Sequence, residues 1–259
     1  MYQSKISNSF PIVWHAPGLQ SHDGKPKCWT SRPGKRNGLW PELRDYALKL
    51  KIAPTPDLDV ITFNSKDIKS PLEFILEKSN QSHVVLGKGI SNWQHSFKHR
   101  LSFDYISSSK AKYIMALDAF DVVYTGNLQL AIDYLLSLNK KNMLFNSDWG
   151  WWPANTPHHL KKYEEVRATS RFKFLNAGVW IAKKEAALSF LEKAVEMSKT
   201  MTSGSEQYIY HHLYKEVPNL AIDYKCAIFQ TDINWHNIRF IPDPEPLSRI
   251  EEVRKQRCS

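Results

Sequence analysis

Residues 113–126, with the sequence YIMALDAFDVVYTG, decide the fold that this chain can adopt. The first five residues predict a buried β-strand that ends at Asp118. Asp121 follows three residues later, and the small residue Gly126 lets the chain leave the turn. Two carboxylates at the end of an apolar strand lose hydration unless a cation accompanies them. The pattern therefore indicates a divalent cation that also binds phosphate, as Mn²⁺ or Mg²⁺ does.

Predicted strands and helices alternate from residue 59 onward. Further strands are predicted at residues 59–64, 82–86, 142–146 and 220–222, with one interrupted strand within 174–182. One of the intervening helices begins with a capping pair, Ser70 and Glu73. This alternation is typical of an α/β fold, a Rossmann-like and mostly parallel sheet with helices on both faces. Ligands of such sheets bind at the carboxyl ends of the strands, where Asp118 lies.

The composition is that of an ordinary globular protein, with 42% hydrophobic and 24% charged residues among 259. No apolar run reaches the roughly 18 residues that span a bilayer, and residues 1–18 lack the apolar core of a secretory signal. Three cysteines without CxxC spacing predict reduced thiols and a cytoplasmic location. The sequence thus predicts neither a transmembrane segment nor secretion.

The net charge of +9 is compatible with a solvated surface or with an anionic ligand such as a nucleotide diphosphate. Lysines and arginines are spread along the chain instead of forming the cluster that nucleic-acid binding requires, so we expect no nucleic-acid partner. We divide the chain into an N-terminal extension, residues 1–58, which can contribute to the active site, and a main domain, residues 59–259. Residues 20–38 are polar and rich in glycine and proline, and they predict a loop.

Taken alone, the Asp118/Asp121 pair is a weak signal, because two solvated turn aspartates have the same spacing. A metal-dependent phosphohydrolase with an aspartyl nucleophile is a further alternative. That chemistry uses Asp-x-Asp spacing, and the separation of Asp118 from Asp121 is one residue too long for it.

Seven segments, in chain order, carry a resemblance to one family. They are DVITFNSK (59–66), VVLGKGISNW (84–93), YIMALDAFDVVYTG (113–126), LFNSDWGWWP (144–153), FLNAGVWIA (174–182), SEQYIY (205–210) and IDYKCAIFQT (222–231). Together they resemble the glycosyltransferase domain of the collagen lysyl hydroxylases, a procollagen galactosyl- and glucosyltransferase-like family with bacterial and viral relatives. The resemblance implies the GT-A glycosyltransferase fold, a UDP-sugar as donor substrate and a metal ion as cofactor.

The resemblance also implies roles for residues on the donor side of the site. Asp118 and Asp121 bind the metal ion. The nucleotide is contacted by Ser65, Trp93, Lys98 and Phe120, of which Trp93 stacks on the uridine and Lys98 approaches the phosphates. Each role has a structural alternative: Ser65 as a loop hydroxyl, Trp93 as a core anchor and Lys98 on a solvated helix face.

On the other side of the site, the resemblance implies that Asp148 and Trp152 face the donor sugar or the acceptor. Asn176, Ala177 and Gly178 shape the floor of the site, where small residues let the backbone approach a ligand. The structural alternative for these three residues is a bulge in the strand.

The chain departs from the family where the family has two adjacent aspartates before a glutamine, because here the residues are Ser205 and Glu206. Glu206 can act as a base or orient an acceptor hydroxyl, and Asp148 is the other candidate base if the reaction inverts. A carboxylate exposed at a helix start is the structural alternative for Glu206.

The second departure concerns the third metal ligand, which in the family is a histidine after the late strand. Residues 234–259 contain no such segment, but a similar one, PIVWHAPG, occupies residues 11–18. We hypothesise that His15 supplies the ligand, as a circular permutation would arrange. His236 is the rival ligand, and a third reading is that neither histidine binds metal. His95 and His99, four residues apart, are interpreted as surface residues of a helix.

The sequence therefore predicts a metal-dependent glycosyltransferase that moves a hexose from a UDP-sugar to an acceptor hydroxyl of a glycan, lipid or protein. The alternative from another class is a catalytically silent module that binds a sugar or nucleotide. The Ser205 departure is the feature that favours this alternative.

Overall fold

The computed structural model describes residues 1–5, 8–17, 38–201, 204–233 and 236–241, and its centre is a six-stranded sheet. The sheet contains β3 (Leu58–Phe63), β4 (His83–Leu86), β5 (Tyr113–Asp118), β7 (Met143–Asp148), β8 (Phe174–Lys183) and β9 (Leu220–Ile222). The order of the strands is β4-β3-β5-β8-β7-β9. Every strand of this sheet runs in the same direction except β8, which is antiparallel to both β5 and β7. The predicted mostly parallel sheet is confirmed.

Helices cover both faces of this sheet. They are α1 (Trp40–Lys49), α2 (Pro71–Lys78), α3 (Phe97–Ser108), α4 (Gln129–Ser137), α5 (His158–Arg167), α6 (Lys184–Ser198) and α7 (Glu206–Glu216). Alternate residues of β5 point to opposite faces, as the strand period requires. Met115 and Leu117 lie in one core cluster with α1, α2 and α4, whereas Ile114 and Ala116 lie in another with α3, α6 and α7. The predicted α/β layering is confirmed.

A second, three-stranded sheet attaches the N-terminal residues to the main domain. It consists of β2 (Val13–His15), β6 (Val122–Tyr124) and β10 (Phe229–Gln230), with β2 in the middle. Strand β2 is antiparallel to β6 and parallel to β10. Trp14 is fully buried in the core cluster that contains Met115. A third pair of strands joins β1 (Tyr2–Ser4) to β11 (Ile238–Phe240).

Strand β8 differs from its prediction. We expected residues 176–178 to interrupt it, but it is continuous over ten residues. The register with β7 shifts instead: Phe145 pairs with Trp180, and the next residue, Asn146, pairs with Asn176. Residues 177–179 therefore form a bulge, which supplies the irregular backbone that the sequence suggested.

Two other predictions concern segments outside the sheets. The capping box at the start of α2 is present, with Ser70 and Glu73 in reciprocal hydrogen bonds. The loop predicted at residues 20–38 lies almost entirely outside the described residues. Within the described parts of the chain, no helix combines the length and apolar character needed to cross a membrane.

Candidate active site

The acidic residues that the sequence singled out lie at one edge of the main sheet. Asp118 is the last residue of β5 and Asp148 is the last residue of β7. Because these strands run in the same direction, their carboxyl ends meet at the same edge. Phe63, the last residue of β3, pairs with Asp118. The two residues that follow β3, Asn64 and Ser65, therefore also lie at this edge of the sheet.

His15, Asp118 and Asp121 form a compact group of possible metal ligands. One ligand atom from each of the three side chains lies within 4.8 Å of the other two. Strand pairing explains the proximity, because β2 and β6 place His15 opposite Val122, the residue after Asp121. The backbone N–H of Ala16 also donates to the carbonyl oxygen of Asp121 at 2.7 Å. Two segments far apart in the sequence are thus held side by side.

Gly178 provides the space in which these side chains meet. A Cβ atom at this position would lie 2.6 Å from Cε1 of His15 and 2.7 Å from Oδ2 of Asp118. Both distances are shorter than van der Waals contact, and the three residues belong to three different strands. The bulge of β8 therefore forms the floor of the group only because residue 178 has no side chain.

A buried lysine is paired with two carboxylates beside this group. Nζ of Lys98 donates to Oδ1 of Asp118 at 2.5 Å and to Oε1 of Glu206 at 2.8 Å. Burial would lower the pKa of Lys98, but the two carboxylates raise the pKa of its ammonium above the usual range. Burial would likewise raise the pKa of Asp118, and Lys98 and His15 together lower it. Lys98 thus keeps Asp118 ionised.

His15 is buried and faces negative charge. Burial alone would lower the pKa of His15, but Asp121, with Asp118 and Asp148 further away, raises it. Its Nε2 atom lies 3.7 Å from Oδ2 of Asp121, and its Nδ1 atom lies 3.4 Å from the side-chain amide of Asn146. Nε2 is therefore the ring nitrogen that faces the carboxylates.

The donor set of this group suits a divalent cation. One imidazole nitrogen and two carboxylate oxygens are ligands that such ions accept, and their mutual distances allow one ion to contact all three. The gap above Gly178 supplies the room. His236, the rival ligand, is described by the structure and does not belong to the group.

The residues predicted to bind the nucleotide lie around the same edge. The half-buried Trp93 stands over Gly87, where a Cβ would lie 2.6 Å from its ring, and it contacts Phe63 with 6.5 Å between ring centroids. Phe120, which lies between Asp118 and Asp121 in the sequence, is buried. The ammonium of Lys66 lies 4.7 Å from the centroid of the Phe120 ring. The half-buried Ser65 follows β3.

Asp148 and Trp152 begin and end a tryptophan-rich segment on the other side of the group. Oδ1 of Asp148 accepts from the N–H of Gly150 at 3.0 Å, and Oδ2 lies 3.5 Å from the amide of Asn176. Oδ1 of Asn176 in turn accepts from the N–H of Gly178. Trp152 is 62% exposed. This side therefore presents a carboxylate and an exposed indole next to the bulge.

Sequence reasoning missed several residues that hold this side together. Gln207 and His211, one turn apart on α7, both contact the carbonyl oxygen of Trp152 at 2.8 Å. Glu164 of α5 is fully buried and contacts His211. The i, i+4 spacing of Gln207 and His211 in a predicted helix could have indicated that both side chains lie on the same helix face as neighbours.

The structure corrects the interpretation of two residues on α3. Lys98 does not lie on a solvated helix face but is buried, and so is His99. Burial lowers the pKa of His99 to about 4, although Glu206 opposes the shift. Only His95 of the histidine pair is exposed, and its Nδ1 atom lies 3.8 Å from Oε2 of Glu206. Glu206 itself is buried, so it is not an exposed helix-start carboxylate.

Comparison with known proteins gives one family and several relatives. The family described as the PLOD GT domain matches residues 95–237, more than half of the chain. Procollagen-lysine,2-oxoglutarate 5-dioxygenase 2 from Homo sapiens is 25% identical over 196 residues, which are 69% of this chain and 25% of that protein. The protein of the same name from Mus musculus is 25% identical over 152 residues, 56% of this chain and 19% of that protein.

Two solved structures are similar at low sequence identity. Mouse xyloside xylosyltransferase 1 in its apo form aligns with a TM-score of 0.39 and 10% identity, covering 69% of this chain and 78% of that one. A glycosyltransferase involved in glycosylation of the major capsid of PBCV-1 aligns with a TM-score of 0.40 and 11% identity, covering 77% and 100%.

The chain belongs to the PLOD GT domain family, a family of glycosyltransferase domains. Membership in this family, together with the mostly parallel sheet and its single reversed strand, confirms the predicted GT-A fold. The chain spans a quarter or less of the length of the two curated relatives.

Proposed function

We propose that this protein is a metal-dependent glycosyltransferase that moves a hexose from a UDP-sugar to an acceptor hydroxyl. The observation that carries the proposal is the group of His15, Asp118 and Asp121 above Gly178, in which His15 and Asp121 are buried and Asp118 is half-buried. The bound ion, which we propose to be Mn²⁺, would neutralise the charge that develops on the diphosphate leaving group. The imidazole ligand favours Mn²⁺ over Mg²⁺, since Mg²⁺ is bound mainly by oxygen ligands.

The residues around the group have complementary tasks in this proposal. Asp118, Asp121 and His15 hold the ion, and the salt bridge from Lys98 fixes the orientation of Asp118. Trp93 and Phe120, with Ser65, contact the nucleotide. The charge of Lys98 lies beside Asp118, where it would also attract the diphosphate.

The acceptor side provides two candidate bases. Glu206 is held by Lys98 through Oε1, with His95 near Oε2. Asp148 lies beside Asn176 and the exposed indole of Trp152. In an inverting reaction, one of these carboxylates would take the proton of the acceptor hydroxyl as that oxygen attacks the anomeric carbon. The acceptor is a hydroxyl group of a glycan, lipid or protein.

UDP release from UDP-glucose and UDP-galactose in the presence of Mn²⁺ tests the proposal. We expect release by the unmodified protein and a loss of more than about 100-fold in the Asp118→Ala/Asp121→Ala variant, because the leaving group loses its metal ion. Asp104→Ala is the matched control, since Asp104 is exposed on α3 and pairs with Arg100.

The same experiment separates the alternative function. Equal UDP release by the unmodified protein and the double variant would defeat the enzyme assignment. Metal-dependent UDP binding without release, measured by calorimetry, would instead identify a catalytically silent nucleotide-binding module. The Ser205 position favours that module, since the hydroxyl cannot replace the carboxylate that the family carries there.

A further inference from the structure

A buried histidine–glutamate pair lies behind the tryptophan-rich segment and has no part in the donor chemistry. His211 of α7 and Glu164 of α5 are both 0% exposed. Nδ1 of His211 contacts Oε1 of Glu164, and the other carboxylate oxygen accepts from the backbone N–H of Leu175 at 2.9 Å. Burying such a pair opposes the hydration of both groups, so apolar packing alone would not require it.

The second ring nitrogen of His211 faces the backbone of the tryptophan-rich segment. Nε2 lies 2.8 Å from the carbonyl oxygen of Trp152. A carbonyl oxygen only accepts hydrogen bonds, so Nε2 carries a proton. The Nδ1 atom contacts Oε1 of Glu164, and this contact fixes the orientation of the ring. The imidazole of His211 also packs on the indole of Trp151, with 4.2 Å between ring centroids.

Gln207 completes the arrangement. Its Nε2 donates to the same Trp152 carbonyl oxygen at 2.8 Å, while its Oε1 accepts from the backbone N–H of Ala177 at 3.1 Å. The Trp152 carbonyl therefore receives two donors from one face of α7. Gln207 thus connects that carbonyl to the bulge of β8 at Ala177, the residue before Gly178.

We propose that His211, oriented by Glu164, is a positioning residue for the acceptor side of the site. It fixes the Trp152 carbonyl, and the following residue, Pro153, restricts the backbone further. The exposed Trp152 indole is thereby held at a constant position relative to the bulge and Asp148. A sugar ring of the acceptor can pack its apolar face on this indole while a hydroxyl approaches the carboxylate. This inference rests on the proposed function.

The variant His211→Leu tests the inference by removing the donor to the Trp152 carbonyl. With methyl glycosides as acceptor probes, we expect the acceptor KM to rise on the order of tenfold, the size of one lost hydrogen bond, with kcat changing less. UDP affinity in the presence of Mn²⁺ should equal that of the unmodified protein, because the donor residues are untouched. His212→Leu is the matched control, since within the described part of the chain Nδ1 of His212 contacts the carbonyl of Tyr208, a residue of the same helix, and does not reach the tryptophan-rich segment.

A spectroscopic measurement makes the test independent of the acceptor. The chain has nine tryptophans, so the fluorescence of Trp152 must be isolated. It is obtained by subtracting the emission of each protein's Trp152→Phe derivative from the emission of that protein. In His211→Leu we expect the acrylamide quenching of this emission to change, whereas His212→Leu should match the unmodified protein.

Loss of stability is separated from loss of positioning by a second variant. Removing His211 alone leaves the Glu164 charge buried, so Glu164→Gln/His211→Leu replaces that charge with an amide that still accepts from Leu175. We expect this protein to be folded and to keep the raised acceptor KM and the altered quenching. A folded double variant with unmodified values for both would overturn the inference. Absence of UDP binding in the unmodified protein would instead refute the proposed function, and the quenching result would still test the position of Trp152.

Discussion

The two sides of the candidate site, which we propose to bind the donor and the acceptor, are held in place in different ways. On the proposed donor side, charged side chains contact one another directly: Lys98 pairs with Asp118, and His15 faces Asp121. On the acceptor side, the indole of Trp152 is exposed and its segment is held through a backbone carbonyl. Substitutions of donor-side side chains therefore change the chemistry itself, whereas the acceptor side can change its exposed side chains while its backbone stays fixed.

The most severe change to the donor side is predicted for Gly178→Ala. The added Cβ would collide with both His15 and Asp118, so two of the proposed ligands would be displaced at once. We expect Mn²⁺ affinity, measured by isothermal titration calorimetry, to fall about 1,000-fold, beyond the 10–100-fold typical of changes outside the ligand shell.

Gly204→Ala is the control for this substitution, because a Cβ at Gly204 meets no atom within 4 Å. A Gly178→Ala protein that binds Mn²⁺ as tightly as the Gly204→Ala protein would show that the three side chains do not share one ion.

His15→Ala removes one proposed ligand and should have the next largest effect, a loss of about 100-fold in Mn²⁺ affinity. His236→Ala should bind Mn²⁺ like the unmodified protein, since His236 is not part of the ligand group. The opposite outcome, with only His236→Ala impaired, would transfer the third ligand to the C-terminal part of the chain. Calorimetric titration of both variants in the same buffer makes the comparison.

Mn²⁺ affinity should also depend on pH through His15, because a proton and the ion compete for its imidazole. The pKa of His15 is raised, so the competition begins above the ordinary histidine value of about 6.5. Below that raised pKa, we expect affinity to fall about tenfold per pH unit, measured across about pH 5 to 8.

In the metal-free protein, the contribution of His15 to the free energy of unfolding should fall as pH rises, whereas Mn²⁺ affinity should rise with pH. A raised pKa in the folded state means that protonated His15 stabilises the fold below the unfolded pKa, and that this contribution is lost as pH rises through the folded pKa. Urea unfolding with and without His15→Ala checks the sign. Parallel pH curves for the two proteins would contradict it.

The smallest effect is predicted for Arg171→Ala on the acceptor side. The guanidinium of Arg171 lies 5.7 Å from the ring centroid of Trp149, and both side chains are exposed. Exposed cation–π contacts contribute about 0.5–1 kcal/mol, and the guanidinium also lies 3.8 Å from the buried carboxylate of Asp232, so the free energy of unfolding in urea should fall by about 1–2 kcal/mol. Mn²⁺ affinity should be unchanged, and a loss there would show that the two sides are coupled.

Local sequence patterns predicted the main sheet well. The strand at residues 59–64 was observed at Leu58–Phe63, and the capping pair of α2 was found as expected. These elements depend on side-chain period and on contacts between residues close in sequence. The three-residue strands β2 and β6 were missed, because each carries too few residues to show a period and exists through pairing with a distant segment.

The candidate site was predictable to different degrees. Asp118 and Asp121 were identified by their position at the end of an apolar strand. Gly178 was identified by the resemblance of the segment FLNAGVWIA to the family. Burial of Lys98 between two carboxylates could not be read from the helix pattern, since charged residues normally lie outside. His211 and Glu164 lie on different helices and are 47 residues apart in the sequence. Local sequence patterns therefore do not predict their contact.

By itself, the sequence determined that an apolar strand delivers two carboxylates to the end of a parallel sheet, because strand period and strand direction follow from local residue types. Only the tertiary structure decided which groups face those carboxylates. His15 reaches Asp121 through the pairing of β2 with β6, and Lys98 reaches Asp118 from α3. Both contacts depend on the burial of charge against charge between distant segments, a free energy that is set only when the core closes around them.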